Sequence, residues 1–141
     1  LTFSLASFAF APGAMAAGPV GMSAVSYGEP VMTAVSVSFP DSSTTFRPDA
    51  STAELLAEAK GAAIIYISGR TSTLRASASD EALALRRALS ARQYLIARGV
   101  SPLKIMVNFA SASDFVADNS TPEGRYQNQR VDIEVVYVPT Y

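Results

Sequence analysis

The sequence contains no cysteine and no histidine among its 141 residues. These two absences exclude thiol nucleophiles, thiolate and imidazole metal ligands, and every serine–histidine catalytic arrangement. Charged residues make up only 16% of the chain and the formal net charge is −1, so composition offers no electrostatic footprint for a nucleic acid. We therefore expect no enzyme activity, no bound metal, no cofactor and no nucleic acid partner.

An apolar run opens the chain and passes into small residues between Leu1 and Ala17. Within it, Ala14-Met15-Ala16 fits the cleavage pattern of a secretory signal peptide, so we interpret 1–16 as a signal-peptide remnant. The alternative is an apolar strand or a partner-binding arm. The run is too short to span a bilayer, and we expect no transmembrane segment. We interpret 17–31, which shows no sustained period, as an extended arm.

Four short apolar or alternating segments predict β-strands. The second is apolar throughout and β-branched, which is typical of a strand buried on both faces. We expect a loop from Gly69 to Ser79 after it. The four predicted strands are Met32 to Phe39, Ala62 to Ser68, Lys104 to Ala110, and Val131 to Val138.

Capping patterns predict three helices between these strands. Ser51-Thr52-Ala53-Glu54 forms a capping box, so the first helix should begin at Ser51 and stop at a left-handed Gly61. Ser77-x-x-Asp80 begins a long helix that should end at about Arg98, and Pro122 to Asn128 should form a short one. The element order is then β-α-β-α-β-(short α)-β.

Right-handed crossovers place the helices of such a chain on one face of the sheet. The sequence therefore predicts an α+β fold: a two-layer α/β sandwich with a mixed four-stranded sheet. We assign this domain to residues 32–141.

Four blocks of sequence occur in order at characteristic separations. They are Phe39 followed by Phe46-Arg47-Pro48; Gly69-Arg70-Thr71-Ser72; Asp80-x-x-Leu83-Ala84-x-x-Arg87-Ala88; and Asp118-Asn119-x-Thr121-x-Glu123-Gly124-Arg125-x-x-Asn128-Gln129-Arg130-Val131. Together they resemble the OmpA-like domain, the family of the C-terminal part of outer-membrane protein A, of peptidoglycan-associated lipoprotein and of flagellar stator B proteins. The resemblance extends from about Ser36 to Val138.

The resemblance implies a site for the diaminopimelate of the peptidoglycan stem peptide. In the family, an aspartate of the second block and the arginine of the helix block are the principal contacts. Arg87 keeps that arginine, but Ser72 stands at the aspartate position and Arg70 at the histidine two residues before it. Losing a charged hydrogen-bond partner from a desolvated site costs about 2–5 kcal/mol, so affinity falls on the order of thirtyfold or more.

Other charges of the chain could alter this site. Arg70 and Arg75 would make an electropositive loop facing Arg87, and Asp80 or Asp114 could replace the missing carboxylate. The candidate ligand-binding residues are Arg87, Ser72, Thr71, Arg70, Asp80, Asn119, Arg125 and Arg130.

Each candidate also has a structural interpretation. Arg87 could extend along its helix and pair with Glu81 or Asp80. Arg125 and Arg130 could brace a loop through hydrogen bonds. Asn119 lies where turns and caps favour an amide.

Two functions remain open. The first is a periplasmic, outer-membrane-associated domain in a Gram-negative-type envelope, which tethers an envelope complex to peptidoglycan through a weakened or altered site. The second is a structural subunit of a secretion, conjugation or other multi-protein assembly that no longer binds peptidoglycan. Both imply other envelope proteins as partners. An enzyme acting on wall glycans would need a pair of carboxylates across a cleft, and the sequence offers no such pair.

Overall fold

The computed structural model describes residues 28–139. The expected signal-peptide remnant, 1–16, and most of the expected arm, 17–31, lie outside the described residues. Pro30–Val138 form one compact unit, and it contains every helix and strand of the described part. No helix in residues 28–139 is long and apolar enough to cross a membrane.

The unit contains four strands and three α-helices in the predicted order. Single 3₁₀ turns, Ala59–Gly61 and Pro102–Lys104, precede the second and third strands. The elements are β1 Val31–Ser38, α1 Ala50–Ala57, β2 Ile64–Arg70, α2 Ala78–Ala97, β3 Ile105–Ala110, α3 Pro122–Asn128 and β4 Arg130–Tyr137.

The strands form one mixed sheet in the order β1-β4-β2-β3. β4 runs antiparallel to both of its neighbours, whereas β2 and β3 are parallel and are joined through α2. The α+β prediction with a mixed four-stranded sheet is confirmed. β4, the last strand, lies in the interior of the sheet between β1 and β2. Because β4 is antiparallel to β2, its start lies beside the carboxyl end of β2. α3 and the loop before it, which lead into β4, therefore end close to the carboxyl end of β2.

The hydrophobic core lies between one face of the sheet and the helices α1 and α2. Ile65 and Ile67 of β2 and Ile133 of β4 are fully buried, because alternate side chains of a strand share a face. On α2 the buried apolar side chains are mostly small and recur at helical spacing: Ala84, Ala88, Ala91 and Leu95. The alanines let the helix backbone lie close to the strands.

Gly69 marks the closest approach of α2 to the sheet. A Cβ atom at this position would overlap the backbone carbonyl oxygen of Ala84 and would lie 3.2 Å from the Cβ atom of Ala88. Only glycine leaves room for that contact. The approach fixes the next inward-facing turn of α2, which carries Arg87, beside the carboxyl end of β2.

The structure confirms two predicted helix starts. The hydroxyl of Ser77 accepts a hydrogen bond from the backbone N–H of Asp80, at 3.1 Å, and caps α2. The hydroxyl of Thr121 accepts from the N–H of Gly124, at 2.9 Å, and Pro122 occupies the first turn of α3. Gly99, with φ of 98°, ends the long helix in the left-handed conformation.

Three local predictions are wrong. The cap of α1 is Asp49, not Ser51, because the Asp49 carboxylate accepts from the N–H of Thr52 at 2.8 Å while the Ser51 hydroxyl donates to Asp49. Gly61 does not adopt a left-handed stop, since it closes a 3₁₀ turn without a positive φ. Gly69 lies within β2, which continues to Arg70, because pairing with β3 and β4 extends the strand beyond its apolar run.

Candidate functional site

Arg87 projects from α2 toward the loop that follows β1. The residue is 1% exposed, and its guanidinium donates to three backbone carbonyl oxygens. The acceptors are Ser43 at 2.9 Å, Arg70 at 3.1 Å and Pro40 at 3.3 Å. A planar group with five N–H donors can make such contacts with several chain segments at once. Arg87 therefore joins α2, the β1–α1 loop and the end of β2.

The electrostatic environment of Arg87 is set by its burial. The guanidinium carbon lies 5.2 Å from the centroid of the Phe39 ring, a cation–π distance. Burial lowers the pKa of Arg87 to about 10, and the nearby Asp41 carboxylate opposes this lowering. The side chain is therefore charged at neutral pH. No ion pair in residues 28–139 joins it to Glu81 or Asp80.

Ser72 lies in the loop after β2, and residues of the fourth sequence block, Asp118 to Val131, hold it by hydrogen bonds. Its carbonyl oxygen accepts from the side-chain amide of Asn119 at 2.7 Å, and its hydroxyl accepts from Nε2 of Gln129 at 2.8 Å. Thr71, beside it, is fully buried, and its hydroxyl lies 2.8 Å from that of Thr73. The structure thus brings together Ser72 and Asn119, which are 47 positions apart in the sequence.

Asn128 holds the loop that carries Asn119. Its side-chain oxygen accepts from the backbone N–H groups of Val116, at 2.7 Å, and Ala117, at 3.1 Å. Its side-chain nitrogen donates to the carbonyl of Ala117 at 3.1 Å and to the Asn119 side chain at 2.9 Å. All four groups of this fully buried amide are used, so the loop has one defined path.

Arg70 does not join the cluster around Arg87. Because Gly69 faces α2, the next side chain of the strand points to the other face of the sheet. There the Arg70 guanidinium forms an ion pair with Asp114, with Nη2 and Oδ2 2.8 Å apart, and donates to the Asn108 side chain at 3.0 Å. The expectation of an arginine-rich loop facing Arg87 is therefore wrong for Arg70.

The two acids expected to replace the missing carboxylate are engaged elsewhere. Asp114 pairs with Arg70 on the other face of the sheet. Asp80 accepts a hydrogen bond from the Ser77 hydroxyl at 2.7 Å, at the start of α2. Neither carboxylate makes a hydrogen bond to Ser72 in the described part of the chain.

Two further candidate arginines make structural contacts. Arg125 donates to the carbonyl oxygen of Asn119 at 3.3 Å, which supports the loop next to Ser72. Arg130 is buried and donates from Nε to both carboxylate oxygens of Asp132 at 3.0 Å. These contacts give both side chains a bracing role, and a ligand role for either stays a prediction.

The structure adds Asp41 to this site, a residue that the sequence did not single out. Its exposed carboxylate accepts from Nε2 of Gln129 at 2.9 Å, and the same nitrogen donates to Ser72. Asp41 is separated from Gln129 by 88 positions, and its place after Pro40 reads as an ordinary turn. The one sequence signal is Gln129, because the closing motif of the family that this sequence resembles has an arginine at that position.

Comparison with known proteins gives one consistent result. The sequence model of the OmpA family matches residues 39–129. Outer membrane protein A of Bordetella avium is 37% identical over 68 residues, which is 48% of this chain and 35% of that protein. A Brucella suis protein that carries the name of a type IV secretion system outer membrane lipoprotein is 33% identical over 104 residues, 72% of this chain and 60% of that protein. The chain thus spans less than two thirds of either relative.

A solved structure gives the same fold. The peptidoglycan-associated lipoprotein from Burkholderia pseudomallei superposes with a TM-score of 0.58 at 25% sequence identity. The superposition covers 72% of this chain and 88% of that one.

Proposed function

Because this chain belongs to the OmpA family, we propose that it is a non-enzymatic domain that tethers an envelope complex to peptidoglycan. The proposed ligand is the diaminopimelate of the stem peptide, and the proposed location is the periplasm beside the outer membrane of a Gram-negative-type envelope. The site is altered, because Ser72 supplies a hydroxyl where the family pattern has a carboxylate.

The observation that carries this proposal is the convergence of the motif blocks around Ser72. Asn119 and Gln129 bond the backbone and the side chain of Ser72, across 47 and 57 positions of sequence. The guanidinium of Arg87 bonds the carbonyl of Arg70, two residues earlier in the same segment. A cation, a hydroxyl and amide groups thus lie close together, and this supports a polar ligand.

The geometry around Arg87 supports a weaker hold on that ligand. Three of its five N–H groups bond backbone carbonyls, and the side chain is almost fully buried. A ligand carboxylate would have to use the remaining N–H groups, one on each terminal nitrogen. Arg87 therefore contributes mainly its positive charge to the site, because most of its N–H groups are already used and it cannot readily form a bidentate contact with a ligand carboxylate.

A second candidate is a structural subunit of an envelope assembly that does not bind peptidoglycan. The open face of the sheet favours it, because Met32, Tyr66 and Met106 are large, exposed and on the side away from the helices. Exposed apolar area of this kind is typical of protein contact surfaces. The name of the Brucella suis relative points to a secretion assembly as the kind of complex.

Co-sedimentation of the 141-residue chain with purified insoluble peptidoglycan tests the two candidates. Ser72→Asp restores the family carboxylate. Ser72→Asn is the matched control, because asparagine has nearly the same size as aspartate but carries no charge. Sedimentation of the wild-type chain, strengthened by Ser72→Asp and not by Ser72→Asn, is expected for a tether. No sedimentation by wild type, with or without a gain in Ser72→Asp, would replace the tether by the structural subunit.

A further inference from the structure

The side chain of Gln129 is oriented by two acceptors. Its Nε2 nitrogen lies 2.9 Å from an Asp41 carboxylate oxygen and 2.8 Å from the Ser72 hydroxyl. An amide nitrogen has two hydrogens, and these two contacts use both of them. The opposite orientation would place an amide oxygen against a carboxylate, which can only accept. The Gln129 carbonyl oxygen, Oε1, therefore has a defined direction.

That oxygen is an acceptor without a donor. Gln129 is 6% exposed, and Oε1 makes no hydrogen bond to any described residue. Buried polar atoms of native proteins nearly always have a partner, so an unpartnered one requires an explanation. The second carboxylate oxygen of Asp41, Oδ2, likewise makes no hydrogen bond in residues 28–139 and belongs to an exposed residue. These two oxygens belong to chain segments 88 positions apart, which the Asp41–Gln129 hydrogen bond joins.

The chemistry of these acceptors selects a cationic donor. An ammonium group carries three N–H donors and a positive charge, so it can satisfy a carboxylate oxygen and an amide oxygen together. The Ser72 hydroxyl accepts from Gln129 and keeps its own proton as a donor, and the charged guanidinium of Arg87 lies close enough to interact with Asp41. Groups suited to a carboxylate therefore stand beside groups suited to an ammonium.

We propose that Asp41 and Gln129 form a binding subsite for the ammonium group of a zwitterionic, amino-acid-type ligand. In this subsite Asp41, from the loop after β1, supplies the negative charge that Ser72 lacks. The inference rests on the proposed function, since it assigns residues to one half of the same ligand site. It also gives the unpartnered oxygen of Gln129 a function.

Direct titration with meso-diaminopimelate, followed by NMR on the full chain, tests this subsite. Asp41→Asn removes the charge at almost constant shape, and Glu54→Gln removes a charge from the exposed face of α1 as the matched control. We expect affinity to fall at least about tenfold in Asp41→Asn and to stay within about twofold in Glu54→Gln. Adding Ser72→Asp to Asp41→Asn should recover most of the loss, because either carboxylate then faces the ligand amine.

A second ligand tests the contribution of the ammonium group apart from the rest of diaminopimelate. Diaminopimelate acetylated at both amines keeps its carboxylates and loses both ammonium charges, so it should bind wild type as weakly as diaminopimelate binds Asp41→Asn. Equal affinity of wild type and Asp41→Asn for diaminopimelate would overturn the subsite. Thermal unfolding of each variant shows whether a lost interaction reflects a lost fold, and the Ser72→Asp rescue would not occur in an unfolded chain.

The same variants in peptidoglycan co-sedimentation distinguish this inference from the tether. Binding of free diaminopimelate that depends on Asp41, without sedimentation, would retain the subsite and reject the tether. Sedimentation unaffected by Asp41→Asn, together with unchanged affinity for the free ligand, would retain the tether and reject the subsite. Wild type that binds neither form would overturn both.

Discussion

Replacing Gly69 by alanine should destabilise the domain strongly. The added Cβ would overlap the carbonyl oxygen of Ala84 and lie 2.9 Å from the carbonyl carbon, whereas ordinary contacts of a Cβ atom begin at 3.4 Å. Both atoms belong to the helix backbone, so no side-chain rotation relieves the overlap. α2 must move away from β2 by about 1 Å or more, which also lengthens the bonds that Arg87 makes from the next turn.

The expected cost follows from the packing of this contact. Overpacking a close-packed core costs about 1–3 kcal/mol, and we expect the upper end because two backbone segments collide. For a domain of this size each kcal/mol lowers the melting temperature by roughly 5 °C, so Gly69→Ala should lower it by about 15 °C. Thermal and urea unfolding followed by circular dichroism measure both quantities.

Gly61→Ala is the matched control for this substitution. A Cβ at Gly61 has no atom within 4 Å, and its backbone has no positive φ. Alanine there should be neutral or should stabilise by about 0.4–1 kcal/mol, because it reduces the entropy of the unfolded chain. If Gly69→Ala unfolds within about 1 kcal/mol of Gly61→Ala, the helix is not held against the strand as described, and the argument for the position of Arg87 is wrong.

Three further substitutions test other contacts. Arg87→Lys keeps the charge but cannot reach three carbonyls, so urea unfolding should show a loss of about 2–4 kcal/mol, against almost none for the exposed Arg86→Lys. Asn128→Asp keeps the acceptor but removes both donors and buries a charge, and should cost about 3 kcal/mol or more in the same assay. Hydrogen bonds from the Thr52 backbone lower the pKa of Asp49 below 3.8, so its contribution to stability is present above that pH and is lost as pH falls through the lowered pKa. NMR titration should give that lowered midpoint for Asp49. Asp49→Ala should also lower the melting temperature more than Ser51→Ala does, and equal effects would contradict the assignment of Asp49, instead of Ser51, as the cap of α1.

Local patterns predicted the elements of this fold because each strand and helix carries its own periodicity. Alternation gave β1 and β4, and hydroxyl caps at Ser77 and Thr121 placed two helices to the residue. The errors occurred where two local rules compete. An aspartate two positions before Ser51 is an equally good cap, and its position next to the first helical residue decides the competition.

The site was predictable as a set of positions and not as a set of contacts. The spacing of the blocks brought Ser72, Arg87 and Asn119 into one hypothesis, and the structure places them around one loop. The partner of each charge depends on which face of β2 a side chain takes. The strand continues two residues beyond its predicted end at Ser68, so Arg70 lies on the other face of the sheet and pairs with Asp114, which no pattern in the loop indicates.

Ser72 is the more informative position for function, because Arg87 combines two roles in one group. A substitution at Arg87 removes the bonds that hold the β1–α1 loop and the end of β2, so lost binding in such a variant has a structural explanation at once. Ser72 is held to Asn119 through its backbone carbonyl, which every substitution retains. Its side chain can therefore gain a charge while the backbone bond that holds the loop is kept. A change in peptidoglycan binding in Ser72→Asp then reports on the contact with the ligand. Unchanged binding in that variant would mean that a charge at this position does not contact the ligand.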